Sequence, residues 1–106
     1  MKSFDFDSLA VRKMASGHLC LNLTERVNWE EFPNFVDQLI GLIGLRIINQ
    51  SDGPDMRLWE VEIESHALSL VFDDYPLMVS LEASDEKGDI IIEKTHQILI
   101  QQNDTK

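Results

Sequence analysis

The chain has 106 residues, 43% hydrophobic and 26% charged, and its 19 acidic residues against 9 Lys and Arg give a formal net charge of −10. A chain of this size buries about two thirds of its unfolded surface, enough for one core without disulfides or a structural metal. The acidic surplus repels phosphate, which argues against nucleic acid and anionic membranes as partners.

Cys20 is the single cysteine, so no internal disulfide forms. The N-terminus lacks the apolar run of a signal peptide, and no window reaches the ~20 apolar residues of a membrane span. The expectation is one cytoplasmic domain over residues 1–106, with loose ends at 1–8 and 102–106.

The first elements read as a hairpin. Residues 9–14 and 18–24 flank Ala15-Ser16-Gly17, where Gly supplies the left-handed conformation of a three-residue connection. Leu19, Leu21 and Leu23 share one face of the second strand, and His18, Cys20, Asn22 and Thr24 share the other. Phe32, Phe35, Val36, Leu39, Ile40 and Ile43 then recur at helical spacing, one stripe of a helix. Asn28 with Glu31 has the form of a capping box and Val27 with Phe32 that of a hydrophobic staple, although Pro33 opposes a helix already running by then, so either the first turn is loose or the regular helix begins nearer Phe32. Gly44 suits the left-handed residue after the last turn.

From Leu45 the period changes from 3.6 to 2. Residues 45–48 read as a short strand, followed by a Ser51-Asp52-Gly53-Pro54-Asp55 turn. Trp59, Val61 and Ile63 alternate with Glu60, Glu62 and Glu64, giving one apolar and one acidic face. Leu68, Leu70 and Phe72 mark the next strand. After a turn at Asp73-Asp74-Tyr75-Pro76, Leu77, Val79, Leu81 and Ala83 mark another. Connections this short make the strands antiparallel. The last segment sets a helix start at Ser84-Asp85-Glu86 and a helical face of Ile91, Thr95, Ile98 and Leu99 against the β-branched Ile90-Ile91-Ile92 and Gly88. We read it as a helix. The fold class is α+β: an antiparallel sheet of five to six strands in the order β-β-α-β-β-β-β-α, with both helices on one face.

Residues 52–93 hold twelve acids and only Arg57 and Lys87 as bases, so the entire surplus lies there. If both helices cover the Trp59 face, the opposite face shows Glu60, Glu62, Glu64, Ser69, Ser80 and Glu82, with Val71 and Met78 among them. Such a face keeps a small domain soluble. It also suits recognition of a basic protein partner, since apolar residues rimmed by charge mark many interfaces.

Motifs for chemistry are sparse. His18 and Cys20, two apart on a strand, begin a metal set that His66 would extend. His18 and Cys20 fail as a nucleophile pair, because neighbours two apart on a strand stand roughly 7 Å from each other, so any base for Cys20 would have to be His66 or His96. No phosphate loop, nucleophile elbow or zinc-protease motif occurs, so no catalytic residue is assigned and no cofactor is expected.

Leu58-Trp59-Glu60-Val61-Glu62-Ile63-Glu64, followed by the run from Leu68 to Leu81 through Asp73-Asp74-Tyr75-Pro76, resembles a family of small uncharacterised bacterial proteins classed as a domain of unknown function. The resemblance implies a bacterial cytoplasmic origin and no particular chemistry. The functional expectation is a non-enzymatic interaction module, with homodimerisation as one mode, that binds a protein through its acidic face or an edge strand. The alternative is a small-molecule or metal-binding domain using His18, Cys20 and His66.

Overall fold

The computed structural model describes residues 4–104. Its elements are β1 (Ala10–Lys13), β2 (Leu19–Thr24), α1 (Phe32–Ile43), β3 (Arg46–Asp52), β4 (Met56–Ile63), β5 (His66–Asp74), β6 (Leu77–Glu82) and α2 (Glu86–Asp104). The six strands form one sheet in the order β1-β2-β6-β5-β4-β3, and every neighbouring pair is antiparallel. This is the expected α+β order, with both helices contributing to the core on one side of the sheet.

Pleating divides the strands as the alternation predicts. Leu21, Trp59, Val61, Ile63, Leu68, Leu70, Phe72, Val79 and Leu81 are buried on the helix side. Phe32 of α1 sits between them, its ring centroid 4.8 Å from that of Trp59 and 5.3 Å from that of Phe72. Burial of these rings fixes α1 to the β4–β5 half of the sheet.

Several local features sharpen or alter the expectation. The Asn28–Glu31 box forms reciprocally, with Glu31 N–H donating to Asn28 Oδ1 at 2.8 Å and Asn28 N–H donating to Glu31 Oε1 at 3.2 Å. It closes a turn that precedes the helix. Pro33 therefore falls in the first helical turn, where a missing N–H costs nothing. Strand β3 runs to Asp52 rather than ending at residue 48, because its polar second half pairs fully with β4. A two-residue connection at Glu64 and Ser65, both with positive φ, joins β4 to β5.

Residues 4–8, expected as a loose end, are docked. Phe4 and Phe6 are buried against Phe35, with centroids 5.8 and 5.7 Å away. Gln38 brackets the Phe4 backbone, accepting from its N–H at 2.7 Å and donating to its carbonyl at 2.8 Å. Two alternating aromatics in an otherwise polar tail carried this signal. At the other terminus α2 continues through residues 102–104, and residues 105–106 lie outside the described region.

The start of α2 explains Gly88. Asp85 Oδ1 accepts the Gly88 N–H at 2.7 Å, an N-cap bond that draws the first turn against β6. A Cβ at position 88 would stand 2.9 Å from Ala83 Cβ and 3.0 Å from Asp85 Oδ1. Helix propensity alone favours Gly88→Ala by about 1 kcal/mol. We expect the reverse: Gly88→Ala lowers the urea midpoint of unfolding, because Ala83 Cβ is too close to its own backbone to yield.

Candidate functional site

With both helices on one side, no element among the described residues covers the other side of the sheet. Its three central strands present a grid set by the register. Met56, Asp73 and Met78 form one row across β4, β5 and β6; Leu58, Val71 and Ser80 form the next; Glu60, Ser69 and Glu82 form the third. Asn49 and Ser51 of β3 continue the last two rows on one side, as Cys20 and Asn22 of β2 do on the other. Val71 is 4% exposed yet stands outside the main core, since it points away from the helices. Its neighbours Leu58 and Met56 are 41% and 38% exposed.

The acids around this apolar centre divide into two sets. Glu62 takes the Arg46 guanidinium from β3. The carboxylates of Glu60, Asp73 and Glu82 make no hydrogen bond or ion pair among the described residues. Burial pushes the Glu82 carboxyl above the usual glutamate range, and the Asp73 charge pushes it further the same way. An unpaired carboxylate held partly out of water costs free energy that a cation from outside would relieve.

Of the residues expected on this face, Glu60, Glu62, Glu82, Val71 and Met78 lie together. Glu64 does not. It occupies the left-handed first position of the β4–β5 turn, which breaks the strand alternation, and its carboxylate meets Lys94 Nζ of α2 at 2.9 Å. Met56, Leu58 and Asp73 belong to the face but were not singled out from sequence. Counting back by twos from Glu60, and on by two from Val71, reaches all three.

The metal candidates are not brought together. His18 Nδ1 lies 2.9 Å from Asp89 Oδ2, and His66 Nε2 lies 2.7 Å from Asp85 Oδ1, so both imidazoles serve the N-terminus of α2. Cys20 is on the opposite side of the sheet, between Arg12 and Glu82. Burial, followed by the Glu82 charge, pushes its thiol up, away from the thiolate a metal ligand or nucleophile requires. Among the described residues no three of His, Cys, Asp or Glu are grouped to hold a metal ion.

Arg57, noted in the sequence only as one of two bases in residues 52–93, is the most buried charged residue described. Its guanidinium carbon lies 3.9 Å from the Trp29 ring centroid, and Nη2 donates to the Trp29 carbonyl at 3.1 Å. This cation–π contact ties the loop before α1 to β4. It stands on the helix side, away from the grid.

The geometry defines a two-layer α+β protein with one open sheet face. The chain belongs to the DUF3630 family, proteins of unknown function, whose model matches residues 9–101. Comparison with curated proteins and with solved structures returned no match. No helix among the described residues is long and apolar enough to cross a membrane.

The carboxylates at the start of α2 support the helix layer that leaves this face open. Asp85 is held below the usual aspartate range, first by the Gly88 N–H and then by His66. Asp89 is held low by His18 and then by the Leu19 N–H. A lowered folded value stabilises the fold above the ordinary carboxyl value of 3.8, and that stabilisation is lost as pH falls through the folded value. The double variant Asp85→Asn/Asp89→Asn should therefore melt below the wild type at pH 7, and the two melting curves should converge as pH is lowered past 3.8.

Proposed function

We propose that the protein is a non-enzymatic interaction module whose open sheet face binds a basic partner protein. One observation carries this reading: Glu60, Asp73 and Glu82, three acids without a cation in the described chain, surround an apolar centre of Met56, Leu58, Val71 and Met78 on the sheet face without a helix. A face built only for solubility needs its acids but has no use for exposed Leu58 and Met56 between them. Methionines adapt their shape and are over-used at recognition surfaces.

Edge-strand docking is less well supported. β1 is four residues long and carries Arg12 and Lys13; β3 is interrupted by a bulge between Ile47 and Asn49. Both are devices that discourage strand addition. Like charge on two copies of the face also opposes a face-to-face homodimer.

The test compares binding of a highly basic protein, such as a histone or cytochrome c, to the wild type and to Glu60→Lys/Asp73→Lys/Glu82→Lys. Wild-type binding at low salt should weaken steeply as salt rises, and the charge-reversed variant should bind at least tenfold more weakly, a loss of about 1.4 kcal/mol. Equal binding by both would remove the face from the account. Reversing an acid off the grid, Glu30→Lys, should leave most of the binding intact.

A further inference from the structure

Resting on that reading, we infer that the occupant of the open face is a single amphipathic helix of another protein, with basic residues flanking an apolar stripe. Backbone hydrogen bonding limits the choice. β4, β5 and β6 are each paired on both edges, so the grid offers side chains and no free main-chain groups. An extended peptide laid on it would bury its own unpaired N–H and C=O groups. A helix arrives with these satisfied.

Dimensions agree. Three strands at ~4.8 Å spacing make a strip about 10 Å wide, the diameter of one helix. The rows from Met56 to Glu60 span about 14 Å along the strands, or two to three helical turns. The far side of the same sheet already packs two helices through Leu, Val and Phe side chains, and an occupant here would add the missing third layer.

Chemistry then specifies the helix. Met56, Leu58, Val71 and Met78 accept its apolar stripe, while Glu60, Asp73 and Glu82 await cations at its margins. A second copy of this chain does not supply such a helix: α1 contains no basic residue, and in α2 Lys87 and Lys94 are outnumbered by Glu86, Asp89 and Glu93.

The experiment uses the full chain with carbon-13 methyl-labelled methionine and two synthetic peptides of identical Leu and Lys content. In one, Leu recurs at i, i+3, i+4 and i+7; in the other the order is scrambled to abolish amphipathicity. The amphipathic peptide should bind at least tenfold more tightly and move the Met56 and Met78 methyl signals, leaving Met14 in the β1–β2 turn unmoved. Glu60→Gln/Asp73→Asn/Glu82→Gln, checked for an intact fold by circular dichroism, should lose at least tenfold of that affinity. If both peptides bind equally at Met56 and Met78, the helix is wrong while the basic-partner reading stands. If neither moves those methyls, both fall.

Discussion

Phe32 is the contact on which the layering depends. Fully buried, it meets Trp59 and Phe72 edge-on or tilted and thereby commits one face of the sheet to the helices. Truncating a buried Phe of this kind costs about 3–5 kcal/mol. Once Trp59 and Phe72 face α1, the pleat allows no freedom to the residues between them. Glu60 and Val71 must point the other way, and with them the acids and methionines of the adjoining strands. The composition of the open face follows from where the aromatic core lies.

The second constraint acts on the charges. An acid in a protein with spare Lys and Arg nearby is neutralised cheaply, as Glu62 is by Arg46 and Glu64 by Lys94. Residues 52–93 contain too few bases to repeat this. Of the two bases in that span, Arg57 and Lys87, Arg57 is committed to the Trp29 ring on the helix side. The strands thus carry acids that their own chain segment does not balance, and three of them share the uncovered face. Compositional imbalance becomes a local electrostatic property through the register alone.

Much of this was legible in the sequence, for physical reasons. Period-2 alternation at 59–64 and 68–72 specified both faces of the central strands, and the i, i+3, i+4 stripe from Phe32 specified α1. Less visible were features decided by tertiary contact. The length of β3 depends on its partner, since Asn49, Gln50 and Ser51 have no strand signature of their own. Gly88 looked like a weak point in α2 and is instead a close approach to Ala83. Glu64 seemed to continue an acidic row, but a two-residue turn with positive φ turned it toward Lys94. Phe4 and Phe6 docked because α1 offers Phe35 and Gln38. Which acids are paired and which are not depends on neighbours distant in sequence, so the contrast between Glu62 and Glu82 could only come from the structure.

The open face is distinguished by carboxylates without partners among the described residues. Carbon-13 NMR titration of the Glu82 side-chain carboxyl in the free protein tests it most directly. Glu82 should titrate above the ordinary glutamate value of 4.5 and move back toward it in Asp73→Asn. A Glu82 carboxyl that titrates at or below that value would show that a cation already neutralises the face and that its acids are not free to meet a basic partner.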